Sequence, residues 1–403
     1  MSTVPDFIPF PAVRFALRSS STATSTDLGP VCSPPYDVIE PPQRAELAAS
    51  DPHNMVHLVL PDSYEAAADA LAAWEADGTL VRDAVDTFSV YRMTFTDDDG
   101  ARIVTTGVIG ALALDEGGVL PHERTLPKAK SDRLELLRAT RANLEPIWAV
   151  SLATGLTDLC ASDGPPDATA LDEDGALHEL WIVADQPRID ALRTAVAGHT
   201  LVLADGHHRY ETSKTYRDEH PDDPGAAFIM MLVVELSDDL RVRAIHRLLH
   251  GTAAVDLRDA LAGSFRVQSF GENTSEGVAK LEHAMRVDGG LGLVDRDGLA
   301  LLVPTDALDE ALAEGPAALR DVDSARFDAG VRPVVPDATL AYRNDGQAVA
   351  AVVRDGAADA AVLLRPVSVA SIRAAADAAV RMPEKTTFFT PKPRTGMVLR
   401  TLD

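Results

Sequence analysis

The sequence predicts a mixed α/β fold, and three observations carry the prediction. Residues 88–95 and 102–114 are β-rich runs flanking the turn sequence DDDG, the pattern of a hairpin leading into a further strand. Residues 63–77 set Ala67, Leu71 and Trp74 at helical spacing and run into Gly78, as an amphipathic helix with a glycine C-cap does. Beyond residue 250, helix and strand patterns alternate.

In chain order, residues 1–60 are proline-rich (FIPFPAVRF, then CSPPYDVIEPP) and read as extended segments and turns, with SSSTATSTD (19–27) as a surface loop. The helix over 63–77 and the hairpin follow. Asp132 and Glu135 stand at capping-box spacing and head a short helix over 132–143. Strands are expected over 145–152, 178–184 and 200–204, with a helix over 187–197 between the last two. His207, His208 and Arg209 open the next helix, which runs to about 219, and strands over 227–236 and 242–249 come after it. Helices near 255–262, 275–286 and 368–380 and strands near 299–303 and 360–365 complete the pattern. The sequence has no internal repeat or heptad, and no linker marks a domain boundary.

Composition narrows the function classes. At roughly 150 residues per domain, 403 residues suggest two or three domains or one large domain with insertions. A hydrophobic fraction of 46% with 25% charged residues excludes disorder as the main state. Cys32 and Cys160 cannot build a disulfide framework, so a reducing, cytoplasmic setting is expected. The N-terminus lacks the basic and apolar regions of a signal peptide, and the longest apolar run, 228–234, is too short to span a bilayer. No membrane association is expected.

A net charge of −25 repels phosphate backbones, so nucleic acid is not an expected partner. The basic residues nevertheless gather into islands: residues 122–143 carry net +3, residues 241–250 net +3 and residues 381–400 net +4. Such islands suit a small anion, with chance clustering and ion pairing to the acidic remainder as the alternative reading of any one of them.

Four segments carry candidate chemistry. In LVLADGHHRYETSKTYRDEH (201–220) a buried strand ends at Asp205, Gly206 allows a tight turn, and a helix begins. The free N–H groups and positive dipole end of that helix suit an anion, which Arg209 can grip bidentately while Gly206 lets the backbone approach. His207 and His208 can donate to phosphate or, with Asp205, ligate a metal; a helix cap with Arg209 paired to Glu211 is the structural alternative. In LPHERTLPKAKSDRLELLRATRAN (120–143), Glu123 beside His122 suits a general base. There Arg124, Lys128, Lys130 and Arg133 can neutralise a polyphosphate, or form a solvated basic face.

The third segment, MPEKTTFFTPKPRTGMV (382–398), adds Lys385, Thr386, Lys392 and Arg394 between chain-fixing prolines, with Phe388 and Phe389 for a nucleobase or for the core. The fourth, SPPYDVI (33–39) with DPHNMVHL (51–58), offers Tyr36, Asp37, His53 and Asn54 on a cleft wall or in structural turns. GxxxxGK[ST], GxGxxG after a strand, HExxH and GxSxG are all missing.

The series PFPAVRF, PPYDVI, PHERT, KSDRLELLRAT, ADGHHRYET and MPEKTTFFTPKPRTG, running from about Pro9 to Met397, resembles a widespread bacterial and archaeal family catalogued as a domain of unknown function. More distantly, the DGHHR turn is similar to the corresponding loop of the free serine kinases of the ParB/sulfiredoxin superfamily. That resemblance implies a ParB/sulfiredoxin-like nucleotide-binding core with a large α/β C-terminal part. It also implies phosphate contacts from Gly206, His207, His208 and Arg209, a Mg²⁺ or substrate contact from Asp205, and Glu123 as the base.

These readings combine into one expectation. Residues 1–250 form a catalytic core with insertions, residues 251–355 an accessory region, and residues 356–403 a segment that returns to the active site. The activity expected is a small-molecule kinase, passing a phosphoryl group from ATP, ADP or pyrophosphate to a hydroxyl metabolite such as free L-serine, with Mg²⁺ as cofactor. His122, Glu123 and Asp205 are the catalytic candidates; Lys128, Lys130, Arg133, Lys385 and Lys392 join the 206–209 turn as phosphate ligands. Arg124, Arg247, Tyr36 and Asp37 are the substrate ligands, and a homo-oligomer is left open. The competing readings are a metal-dependent hydrolase using Asp205, His207, His208, His122 and Glu123, a ParB-like nucleotide-binding protein, and a sensor without turnover.

Overall fold

The β-rich runs flanking DDDG form the hairpin expected of them: Phe88–Thr96 pairs antiparallel with Arg102–Ala113, Ser89 opposite Ile109 and Thr96 opposite Arg102. The computed structural model in which this is seen describes residues 5–17, 25–97, 100–114, 118–121 and 127–403, with 121 and 127–131 described by backbone alone. The hairpin lies in the middle of a ten-stranded mixed sheet. Outward from Phe88–Thr96 the neighbours are Leu177–Val183, Ala168–Leu171 and Thr26–Asp27. Outward from Arg102–Ala113 they are Phe228–Glu235, Ile147–Ser151, Leu201–Asp205 and Val119–Pro121, while Phe7–Ile8 also pairs with Arg102–Ala113. Ile147–Ser151 runs parallel to Phe228–Glu235, and Leu201–Asp205 runs parallel to Val119–Pro121 but antiparallel to Ile147–Ser151.

One face of this sheet packs under helix Gln186–Ala197. Asp185 caps that helix by accepting from the Arg188 amide, Pro187 fits its first turn, and Ile189, Leu192 and Val196 point into the core. Each buried side chain of that size contributes roughly 1.5–3 kcal/mol. Phe7 and Phe88 stack with ring centroids 5.1 Å apart directly over Gly110, where a Cβ would lie 2.5 Å from both rings. Helix Pro127–Thr140 lies beside helix His207–Glu219, and Leu137, Tyr216, Ala226 and Leu402 form a small apolar cluster there.

The described residues up to Arg241, together with Pro391–Asp403, make one compact unit, and Val242–Thr390 make a second. The second unit is a six-stranded antiparallel sheet in the order Phe265–Gly271, Gly298–Pro304, Leu291–Asp295, Ala360–Leu363, His246–His250, Thr339–Arg343. Helices Ser275–Asp288 and Gly346–Arg354 bury Val278, Leu281, Met285, Val349 and Val353 with Leu248, Val294 and Leu363. Leu257, Leu261, Leu308 and Phe327 pack with Leu249, Leu293 and Val362. The fold class is mixed α+β, as the sequence predicts. Among the described residues no helix is long and apolar enough to cross a membrane.

Three expectations shift. The helix placed over 132–143 is Pro127–Thr140, because a proline suits a first helical turn; Asp132 is therefore mid-helix and accepts from Tyr64 Oη at 2.8 Å instead of capping. Residues 41–50, read as turns for their prolines, form helix Pro41–Ser50 with those prolines at its start. The strand placed over 242–249 is divided into two, Arg241–Arg243 and His246–His250.

Candidate functional site

The motif turn at residues 205–209 is built as its sequence suggests. Strand Leu201–Asp205 passes through Gly206 straight into helix His207–Glu219. Gly206 has φ +90, a left-handed conformation, and a Cβ there would lie 2.6 Å from Ile147 Cγ2, so a side chain is disfavoured on both counts. His207 is buried and His208 half-buried in the first helical turn.

Arg209 turns back from this helix into a network of ion pairs. Its Nη2 donates to Asp205 Oδ2 at 3.0 Å, and its Nη1 donates to Glu145 Oε2 at 3.0 Å and to the Pro146 carbonyl at 3.1 Å. The other oxygen of Asp205 meets Lys392 Nζ at 2.9 Å, and Lys392 also donates to Asp37 Oδ2 at 2.7 Å. Glu145 Oε1 accepts from the Tyr36 amide at 3.0 Å and from Thr395 Oγ1 at 2.8 Å. Arg133 Cζ lies over the Tyr36 ring, 4.1 Å from the ring centroid, and Arg209 Cζ lies 5.9 Å from it. Arg133 is itself held by Asp132 and by the Val59 carbonyl at 2.8 Å.

Each charge in this network is fixed by its neighbours. Burial alone would raise the Asp205 carboxyl, but Lys392 and Arg209 on its two oxygens override that and hold it far below the usual carboxylate range. Burial likewise works against the Lys392 ammonium, yet Asp205 and Asp37 keep it charged well beyond its usual range. Burial pushes the Tyr36 hydroxyl up to about 12, so it stays protonated. Asp37, Asp132, Glu145 and Asp205 face Arg133, Arg209 and Lys392, so these side chains together carry one net negative charge.

Beside the network is a cavity of about 60 Å³. Its walls are mainly apolar, including Val59, Leu136, Leu137, Ile147 and Ile229, and its polar lining comes from Arg133, Glu145, Arg209, Thr212, Ser213 and Asn143.

The network gathers Tyr36, Asp37, Arg133, Asp205, Gly206, Arg209 and Lys392 from the sequence-predicted set. Lys128 and Lys130 lie on helix Pro127–Thr140, and their side chains are outside the described residues, as are His122, Glu123 and Arg124. Arg247 and Lys385 belong to the second unit. There Arg247 is 3% exposed, donates to the carbonyls of Ile245 and Glu384, and faces the rings of Phe327 and Tyr342. Lys385 has φ +55, an uncommon conformation for a residue other than glycine.

Glu145 and Thr395 were not singled out from sequence. The signal for Glu145 was present: a lone carboxylate heading the apolar strand LEPIWAV, where a buried charge requires partners.

Mg²⁺ requires carboxylate oxygens free to coordinate it. Both oxygens of Asp205 and one of Asp37 already carry a cation, and among the described residues no group of three His, Cys, Asp or Glu could hold a metal. These residues do not fit a resident Mg²⁺.

No curated protein matches this chain. Among solved structures, a conserved hypothetical protein from Pyrococcus furiosus is similar at a TM-score of 0.40 and 12% identity, over 72% of this chain and 94% of that one. A free serine kinase in complex with AMP is similar at a TM-score of 0.37 and 14% identity, over 70% of this chain and 86% of that one. SbnI with C-terminal truncation from Staphylococcus aureus is similar at a TM-score of 0.38 and 13% identity, over 72% of this chain and 85% of that one. The model of a family described as "Protein of unknown function (DUF1015)" matches residues 7–323, well over half of the chain, and the protein belongs to that family.

Proposed function

We propose that this protein is a small-molecule phosphotransferase that takes a phosphoryl group from a nucleotide, or from pyrophosphate, and passes it to a hydroxyl metabolite, free L-serine first among them. The observation that carries this reading is the meeting of three distant motif segments at one helix start. Asp37 of PPYDVI, Asp205 and Arg209 of ADGHHRYE, and Lys392 of the C-terminal motif share a single ion network at the head of helix His207–Glu219. A helix start offers amide donors and a positive dipole end to a phosphate, and Arg209 and Lys392 both pair with Asp205 just before it. Phosphoryl transfer asks for positioning, charge neutralisation and a base near the acceptor hydroxyl. In this reading Glu123 is the base, beside His122, and Arg124 receives the acceptor's carboxylate.

Because the carboxylates outnumber the cations by one, a donor whose phosphates are already partly neutralised suits the network better than a bare polyanion. Mg²⁺ therefore belongs to the incoming nucleotide in this proposal, not to the protein. The apolar cavity beside Arg133 and Arg209 offers room for an uncharged part of a ligand.

A ³¹P NMR screen tests the proposal. The full chain with Mg²⁺ is incubated with ATP, ADP or pyrophosphate against a panel of hydroxyl metabolites that includes L-serine. A new phosphomonoester peak is the expected result, and Glu123→Gln then lowers turnover while leaving donor affinity unchanged. Donor hydrolysis with no phosphomonoester for any acceptor overturns it, as does donor binding without consumption.

A further inference from the structure

Lys392 and Thr395 reach the network from the proline-bracketed segment 391–395, whose Thr395 makes both backbone hydrogen bonds to Ser33. Pro391 and Pro393 have no amide hydrogen, so residues 391–395 offer only the N–H groups of Lys392, Arg394 and Thr395. The Thr395 amide pairs with the Ser33 carbonyl. The Arg394 amide is spent on a side chain, donating to Tyr91 Oη at 2.9 Å. Tyr91 is 1% exposed, and its hydroxyl also meets His178 Nδ1 at 2.7 Å. His178 is fully buried, and its Nε2 meets Asp172 Oδ2 at 3.1 Å. Asp172 is locked in a turn, its Oδ1 accepting from the amides of Asp174 and Ala176. The contact between Tyr91 and His178 follows from strand register: Tyr91 lies opposite Leu180, which places His178 diagonally across on the same face.

The direction of this chain is forced. An amide only donates, so Tyr91 Oη accepts from Arg394 and sends its own hydrogen to His178 Nδ1. His178 must then carry its single proton on Nε2 and donate it to Asp172. A second proton on Nδ1 would face Tyr91 Oη as another donor and leave the tyrosine hydrogen buried without an acceptor. The other charged or titratable groups around His178 and Tyr91 are Glu173, Cys32 and the Arg394 guanidinium, which is tied to Glu173 at 2.6 Å. Burial lowers the His178 pKa, and Asp172 opposes that only in part.

We propose that Tyr91 and His178 are positioning residues. Through the Arg394 amide they hold the segment 391–395, and with it Lys392 and Thr395, in the network, and protonation of His178 loosens that hold. Its bearing on phosphoryl transfer rests on the reading above, whereas the hold itself does not.

The test uses the full chain. Long-range ¹H–¹⁵N spectra of histidine-labelled protein, with His178 assigned by its loss in His178→Asn, give a neutral Nε2–H tautomer at pH 7.5. Tyr91→Phe lowers the hydrogen-exchange protection of peptides covering 391–395 roughly tenfold, what one buried hydrogen bond amounts to. His178→Asn, whose side-chain oxygen stands near the place of Nδ1, retains that protection and His178→Leu loses it. Across the acid range in which tryptophan fluorescence shows the first unit still folded, lowering the pH reduces protection in the wild type but not in His178→Asn. An Nδ1–H tautomer overturns the proposal, as does unchanged protection in a folded Tyr91→Phe protein. Should Tyr91→Phe fail to fold, the Asn and Leu variants at 178 decide the matter: equal protection in the two overturns it. Absence of nucleotide binding by the wild type defeats the phosphotransferase reading alone, because tautomer and exchange still decide the hold.

Discussion

Glu145 is the residue whose replacement best tests how the site is held together. Its two oxygens do different work: Oε1 accepts from the Tyr36 amide and Thr395 Oγ1, whereas Oε2 accepts from Arg209 Nη1 at 3.0 Å. Glu145→Gln preserves the shape and the Oε1 contacts but sets an amide NH₂ against the guanidinium, donor facing donor. Turning the amide over only moves the conflict to the Tyr36 N–H. Breaking one side of a buried ion pair costs about 3–5 kcal/mol, and Arg209 retains Asp205 and the Pro146 carbonyl, so about 3 kcal/mol is expected. All three tryptophans, Trp74, Trp148 and Trp181, lie in the first unit, so urea unfolding followed by tryptophan fluorescence reports on that unit. With a urea slope of about 3 kcal/mol/M, the midpoint falls by about 1 M. Arg209→Met in the same background recovers part of the loss, a coupling of about 1–3 kcal/mol. A midpoint for Glu145→Gln within about 0.2 M of wild type refutes the view that this pair anchors the site.

Three other outcomes are expected. In the second unit, burial and then Arg247 push the His246 pKa down to about 4, and His246 Nδ1 accepts from the Leu364 amide at 3.1 Å. The unfolded chain takes up that proton first, so this stabilisation is complete above about pH 6.5 and up to about 3 kcal/mol of it is lost as pH falls through 4. Hydrogen exchange of the second unit shows that loss in the wild type and less of it in His246→Asn; equal pH slopes would count against it. Burial pushes the thiols of Cys32 and Cys160 up to about 12, so a thiol reagent at pH 8 modifies neither in the native protein and both in urea. A Cβ on residue 225 would lie 1.7 Å from the Leu402 carbonyl oxygen, and the Gly225 carbonyl accepts from Arg400 at 2.9 Å. Gly225→Ala therefore destabilises the first unit by about 1–3 kcal/mol, read from the tryptophan transition, with loss of exchange protection over 399–403.

The parts of the site legible in the sequence were those set by local geometry. A strand, a glycine and a helix start within ten residues define the turn at Gly206, and local rules suffice to place it. Arg209 shows where such rules stop. Glu211 is its nearest acidic neighbour in the helix, but residues two apart point in different directions on a helix, and the arginine turns instead to Asp205 and to Glu145, 64 positions away. Lys392 and Asp37 are separated by 355 positions, which no count of charge along the chain can connect. The helix starts at Pro127 and Pro41 misled for a different reason. A proline marks a turn and a first helical turn alike, and Asp132 with Glu135 fits a capping box as well as a mid-helix pair.

The charge islands were the most informative misreading. Taken along the sequence they look like surplus positive charge suited to an anion, yet in space Lys392 of one island is shared between Asp37 and Asp205, Arg133 of another pairs with Asp132, and Arg209, outside the islands, is shared between Asp205 and Glu145. Asp37 and Glu145 come from other segments of the chain, and Asp205 joins Lys392 to Arg209 across 187 positions. An anionic ligand therefore does not fall into a ready cationic pocket; to use Arg209 or Lys392 it must take the place of Asp205, Asp37 or Glu145. A displaced carboxylate would be left as a buried charge in need of a new partner, and displacing Glu145 would also release the Tyr36 amide and Thr395 Oγ1. In the proposed phosphotransferase, donor binding that displaces Glu145 is therefore coupled to the seating of the C-terminal segment. Under the proposal for Tyr91 and His178, the buried chain through Tyr91 to the Arg394 amide holds the segment by a contact that does not depend on Glu145.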